Sequence, residues 1–226
     1  SSDLPAPRIS VDWSSVAESI CAEVCCAVTD ALVTWSAALV TRPTSVRNSS
    51  IAKFTESAIA LDSDMKILAV RTQTVAAMGG YLSHFAPFVP TMAAPGMQVG
   101  VYAIPTFYTA TKCVFTNTVP VDAYRGAGRP EAAYVIERLM DKAAHDLKVD
   151  ASELRRKNFI SPQQMPYKFP AGGVIDSGNF AGNMDDAIKL SGWKDFPARA
   201  ADARKRGKLA GIGMAYYVEK IGRAHV

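Results

Sequence analysis

Arg125 stands in "AYRGAGRPE", residues 123–131, between Tyr124 and Gly126, with Gly128 and Pro130 close behind. A guanidinium is planar, permanently charged, and able to grip a phosphate or a polar heterocycle through two parallel hydrogen bonds. Gly126 and Gly128 lack the side chains that would hold a ligand away from the backbone. A helix opening at Pro130 would add unpaired amide groups and a positive dipole end beside the arginine. The stretch therefore suits an anion or a polar ring. The competing reading is a tight turn, with the glycines at positive φ and Arg125 paired to a carboxylate such as Asp122.

Other reactive side chains have plainer readings. Cys21, Cys25 and Cys26 form a C-x3-C-C cluster without the paired C-x2-C spacing or nearby histidines of a zinc site, so they read as small thiols on a helix, with no metal ligands. His84 reads as a loop residue and His145 as a cation near a helix C-terminus. Glu131 reads as a charge at a helix N-terminus, Glu137 as part of a solvated helix face and Glu219 as a strand end.

The elements that must position Arg125 follow from periodicity. "SAIALD" and "KILAVRTQTVAAMGGYL", linked by the short polar "SDM", predict a β-hairpin. The proline-rich stretch from Phe85 to Pro105 predicts an ordered irregular loop over a packed surface. "FYTATKCVFTNTV" predicts a further strand that ends near Val121. From Pro130 a helix is expected, with Ala132, Ile136, Leu139, Met140, Ala143 and Leu147 as its buried stripe, opposite Glu137, Arg138, Asp141 and Lys142. Asp150 and Glu153 resemble a capping box, so a short helix "ASELRRKNF" should follow. Turn-rich sequence then leads to a helical "MDDAIKLSGW" and to a strand "KLAGIGMAYYVE". The fold class expected is α+β, with mixed strands and packed helices.

Composition narrows the function classes. The 226 residues are 49% hydrophobic, enough for a real core. A net charge of +4 comes from scattered basic residues, which argues against nucleic acid as a partner. The longest apolar stretches are shorter than the ~20 residues of a membrane span. No secretion signal is read, and a cytoplasmic location is expected.

"VFTNTVPVDAYRGAGRPEAAYVIERLMDKAAHDL", "DASELRRKNFI", "YKFPAGGVIDSGNF" and the upstream "ESAIALDSDMKILAVRTQTVAAMGGYLS" together resemble the molybdopterin-binding large subunit of the xanthine dehydrogenase and aldehyde oxidase family. The carbon monoxide dehydrogenase large-chain type is the nearest pattern. The likeness runs over residues 55–219, which the resemblance makes part of a molybdopterin-binding domain. Residues 1–54 fall outside the likeness and read as divergent or frameshifted. Residues 220–226, "KIGRAHV", read as an adapter-derived tail.

The resemblance implies a molybdenum hydroxylase that converts an aldehyde or N-heterocycle with water as the oxygen source. It implies a molybdenum-molybdopterin cofactor, in its cytosine dinucleotide form, touched by Arg125 and by the backbone of Tyr124 and Gly126. It implies an iron-sulfur small subunit and an FAD-binding medium subunit as partners, and a small-molecule substrate. Ala127 falls where purine-oxidising relatives carry an aromatic that stacks on the substrate, so Ala127 is substrate-adjacent and a flat purine held that way is disfavoured. Carbon monoxide dehydrogenases proper carry a copper-anchoring cysteine where this chain has Gly126, which puts carbon monoxide oxidation in doubt. No catalytic residue is assigned: the family's glutamate base matches none of Glu131, Glu137 and Glu219, and this chain is expected to be inactive alone. The alternative is a non-catalytic binding or assembly module that keeps the subunit-contact surface.

Overall fold

A computed structural model describes residues 57–218 in full and, ahead of them, the backbone of the strands at residues 39–40, 44–48 and 53–56. The cysteine cluster at 21–26 and the tail from residue 219 lie outside the described residues.

Strand β1 (Leu39–Val40) and strand β2 (Thr44–Asn48) pair antiparallel with successive parts of β3 (Lys53–Leu61). β3 and β4 (Ile67–Ala77) form the expected hairpin, with Ile59 opposite Val70 and Ser57 opposite Thr72. Its turn closes because Asp62 Oδ1 accepts from the amides of Asp64 at 2.9 Å and Lys66 at 2.8 Å. β5 (Thr106–Val114) completes the sheet, running parallel to β4 from Ala69↔Thr106 to Ala77↔Val114. The strand at β5 was expected, but it ends at Val114 rather than near Val121. Beyond Val114 the backbone bonds to residues 78–80 instead of the sheet: Thr116 N donates to Gly79 O at 3.0 Å and Gly80 N to Thr118 O at 3.1 Å.

The proline-rich crossover from β4 to β5 is irregular, as expected, and contains a π-helix (Val89–Ala93) and a 3₁₀ turn (Pro95–Met97). It does more than cover the surface: Val99, Val101, Tyr102 and Ile104 from its second half are fully buried in the main core.

Helix α1 (Arg129–Leu147) lies over the sheet and buries Ala132, and it packs Ile136, Leu139, Met140 and Ala143 into one core with Ile59, Leu61 and Val70. Each large side chain of that stripe stabilises by about 1.5–3 kcal/mol when taken from water. Helix α2 (Ala151–Asn158) starts at Asp150, as expected, but as a simple N-cap in which Asp150 Oδ1 accepts from Ser152 N at 2.7 Å, rather than as a capping box with Glu153. Its last residue, Asn158, ties the helix to the hairpin: its Oδ1 accepts from Ile67 N at 2.8 Å and its Nδ2 donates to Met65 O at 2.8 Å. A small antiparallel pair, β6 (Tyr167–Lys168) and β7 (Val174–Ile175), precedes α3 (Phe180–Ser191) and α4 (Phe196–Lys205). α3 begins ahead of Met184 because Asn179 Oδ1 accepts from Gly182 N at 3.0 Å and caps it early. The architecture is α+β.

Two expectations are corrected. Glu137 was placed on the solvated face of α1, yet it is only 4% exposed. Its Oε1 accepts from the Tyr102 hydroxyl at 2.6 Å and its Oε2 from Arg155 Nε at 2.9 Å, so the charge is paired inside. Burial pushes its carboxyl above the ordinary glutamate value, against the opposing pull of Arg155. The segment from Lys208 to Val218 was expected as a strand, but it has no ladder there; among the described residues no strand runs beside it. It is held instead by Met214 O, which accepts from Arg155 Nη2 at 3.2 Å, and by the Tyr216 ring packed 5.0 Å from that of Phe159.

Candidate functional site

The loop carrying Tyr124 and Arg125 is delivered by two segments that run side by side beyond the ends of β4 and β5. Met78 N donates to Val114 O at 2.8 Å, Val121 N to Met78 O at 3.3 Å, and Ser83 Oγ to Val121 O at 3.0 Å. They approach so closely at Gly79, with φ at 83°, that a Cβ there would stand 2.3 Å from Pro120 Cα. Glycine is therefore obligatory at that crossing.

The loop then turns through three consecutive left-handed residues, Gly126 (φ 101°), Ala127 (φ 43°) and Gly128 (φ 90°). Ala127 N donates to Tyr124 O at 2.8 Å and Arg129 N to Gly126 O at 3.0 Å, which fixes the turn. Gly128 is the N-cap of α1 and supplies no side-chain cap. The helix start, Pro130 in its first turn and Glu131 behind it, agrees with the sequence.

The glycines are demanded by the chain itself rather than by space left for a ligand. A Cβ on Gly128 would lie 2.7 Å from Val89 O and 2.9 Å from Ala94 N, so the π-helix occupies that side. A Cβ on Gly126 would lie 2.8 Å from the Pro130 ring. The positive-φ part of the tight-turn reading is what the structure holds. The Arg125–Asp122 pair is not: Asp122 Oδ1 accepts from Ala123 N at 2.7 Å, and Arg125 is exposed with no ion pair among the described residues. Tyr124 is 89% exposed and Ala127 partly buried. Tyr124 and Arg125 are thus exposed on the turn that leads into α1, where a guanidinium can meet an anionic or polar group.

Between the sheet, the crossover and α1 lies a feature that sequence reasoning missed. A small cavity of about 20 Å³, room for a water, is lined by Thr74, Thr109 and Thr111 of the sheet, Gln98, and Glu131 and Ala132 of α1. Thr72 Oγ1 lies 3.1 Å from both Gln98 Oε1 and Thr109 Oγ1, and Thr111 Oγ1 donates to Pro90 O at 3.2 Å. The period-2 spacing of Thr72 with Thr74 and of Thr109 with Thr111 was the available signal, since it puts all four on one face of the sheet. Among the described residues no group of three histidine, cysteine or acidic side chains is placed to hold a metal ion, and no helix is long and apolar enough to cross a membrane.

Comparison with known proteins matches residues 13–159 to the molybdopterin cofactor-binding domain, a range that includes residues upstream of 55. The carbon monoxide dehydrogenase large chain of Hydrogenophaga pseudoflava is 35% identical over 170 residues, 73% of this chain and 21% of that protein. The nicotine 6-hydroxylase large subunit of Paenarthrobacter nicotinovorans is 32% identical over 171 residues, 73% of this chain and 20% of that protein. Quinoline 2-oxidoreductase from Pseudomonas putida 86 superposes with a TM-score of 0.64 at 27% identity, covering 69% of this chain and 20% of the other. The chain spans about a fifth of the length of these relatives.

Proposed function

Since this chain belongs to the molybdopterin cofactor-binding domain family, we propose that Tyr124, Arg125 and Gly126 form part of a molybdopterin site within a molybdenum hydroxylase. The observation that carries the reading is Arg125 itself: exposed, without an ion-pair partner among the described residues, and set on a left-handed turn at a helix start. That arrangement fits a cofactor with anionic and polar edges, which a guanidinium and convergent backbone amides would hold. When bound, the cofactor supplies two-electron oxidation of the substrate carbon with water as the oxygen source. Arg125 and the backbone of Tyr124 and Gly126 bind and orient it, and Ala127, next along the turn, lies beside the substrate. The small methyl of Ala127 leaves no aromatic face to stack a ring, so a purine gripped in that way is disfavoured.

The substrate class proposed is an aldehyde or an N-heterocycle. Relatives named for nicotine and quinoline support the heterocycle arm. Gly126 supplies no thiol to anchor a copper ion, which argues against carbon monoxide. The cofactor is proposed in the cytosine dinucleotide form, with an iron-sulfur small subunit and an FAD-binding medium subunit as electron-accepting partners, all in the cytoplasm. Relatives named as a large chain and as a large subunit support a multi-subunit assembly.

The test is Arg125→Ala in the complete subunit assembled with its partners, with molybdenum per protein read by mass spectrometry. Cofactor retention is expected to fall severalfold, and Arg125→Lys to recover it only in part, because an ammonium lacks the bidentate fork. Full metal content and unchanged turnover in Arg125→Ala would remove the assigned role.

A further inference from the structure

The cavity between the sheet, the crossover and α1 has a hydrogen-bonding pattern that specifies what fills it. Gln98, only 5% exposed, lines it from the crossover, Thr74, Thr109 and Thr111 from the sheet, and Glu131 from the first turn of α1. Buried polar groups take partners, because leaving one unmade costs the desolvation of the group. The Gln98 side chain has used one end only. Its Oε1 accepts from the Thr72 hydroxyl at 3.1 Å, and its amide nitrogen has no partner among the described residues. A carboxamide nitrogen can only donate. Thr111 is in the opposite condition. Its single proton goes to Pro90 O at 3.2 Å, since a carbonyl can only accept, and the lone pairs of Oγ1 are left to receive a donor.

These two demands select the occupant. A volume of about 20 Å³ holds one water and no larger molecule. A bare cation cannot accept from the Gln98 amide, and the positive end of α1 opposes it. An anion would face the Thr111 lone pairs beside the Glu131 carboxylate. Water both accepts from Gln98 Nε2 and donates to Thr111 Oγ1, with a second proton for another of the lining oxygens.

We propose that this cavity is a built-in water site: one ordered water accepts from Gln98 Nε2, donates to Thr111 Oγ1 and joins the crossover to β5 beneath the first turn of α1. The site goes beyond the molybdopterin reading and does not depend on it. Its place has a mechanical consequence. Pro90 and Ala94 also line the cavity, and Ala94 N together with Val89 O is the backbone pressed against Gly128. The bridge therefore holds the crossover to the sheet at the point where the crossover backs the glycine turn. Gln98 and Thr111 are positioning residues, acting through the water on the crossover.

The test is a crystal structure of the complete subunit assembled with its partners, at a resolution that shows single waters, beside those of Gln98→Met, Thr111→Val and Thr111→Ser. The wild type is expected to hold one water within about 2.7–3.2 Å of both Gln98 Nε2 and Thr111 Oγ1. Gln98→Met, which keeps the length and loses the donor, is expected to lose the water and to melt a few degrees lower. Thr111→Val should lose it as well, whereas Thr111→Ser, which keeps the hydroxyl, should retain the water and the wild-type melting temperature. A wild-type cavity without density, a peak ringed by oxygens in the manner of a cation, or a water that stays fully occupied in Gln98→Met overturns the proposal. Should a variant fail to fold, the wild-type structure decides by itself whether the water is there.

Discussion

Arg155 of α2 and Glu137 of α1 meet inside the protein, with Nε donating to Oε2 at 2.9 Å and neither side chain appreciably exposed. The remaining donors of Arg155 are also used: Nη1 on Ala151 O at 3.1 Å, and Nη2 on Asp141 Oδ1 at 2.8 Å and on Met214 O at 3.2 Å. One guanidinium thus fastens α1, α2 and the segment after α4. Burial alone would lower its pKa, but the surrounding Tyr102, Glu137 and Asp141 outweigh this and raise it, so it stays charged.

Removing Glu137 leaves the buried Arg155 charge with Asp141 as its remaining carboxylate, and removing Arg155 leaves Glu137 buried without a cation. Glu137→Ala is expected to destabilise the complete subunit by about 3–5 kcal/mol. The double change Glu137→Leu with Arg155→Met should cost less than the sum of the single changes, since it removes both charges together. Urea denaturation of the four proteins measures the difference; strict additivity would show that the pair is not coupled.

The cap at Asp150 gives a pH-dependent contribution of known sign. Burial pushes its carboxyl up, but hydrogen bonds from the Ser152 hydroxyl and amide outweigh this and hold it below the usual aspartate range. A value lowered in the folded state means that the stabilisation is complete above the unfolded value of about 3.9 and is lost as pH falls through the folded one. Asp150→Ala should therefore cost about 1 kcal/mol near neutrality. The gap between mutant and wild type should close in strong acid, as thermal melts across that range would reveal.

Gly79→Ala probes the crossing that delivers the loop. The added methyl would meet Pro120 Cα at 2.3 Å and demand a left-handed φ. Both effects destabilise, together by about 2–4 kcal/mol. Because the added methyl would force the two segments apart where they cross, molybdenum content of the complete subunit should fall along with the melting temperature. Loss of stability with full cofactor would show that the loop keeps its shape without the crossing.

Local signals were legible in the sequence, and non-local ones were not. The hairpin, the buried stripe of α1 and the Asp150 cap each depend on residues within a few positions of one another, and each stands where its pattern puts it. Glu137 was misread because its partners, Tyr102 and Arg155, come from a crossover and a different helix, and no spacing rule within α1 reveals them. The expected strand at 208–218 had the right composition but no neighbouring strand among the described residues. At the candidate site, the arginine, the turn and the helix start were visible. The reason for Gly128 was not, since it is the backbone of Val89 and Ala94, distant in sequence, that forbids a side chain there.

The parallel register of β4 and β5 has a consequence for how the chain reaches its fold. β3 and β4 are joined by a tight turn and can zip locally, whereas β5 pairs with β4 only after the whole crossover from residue 78 to 105 has been closed. The entropy of that closure is spent before any ladder bond returns it, so β5 should join late. Phe115 to Gly128 follow β5 directly, which places the assembly of the Arg125 loop among the last events on the folding path.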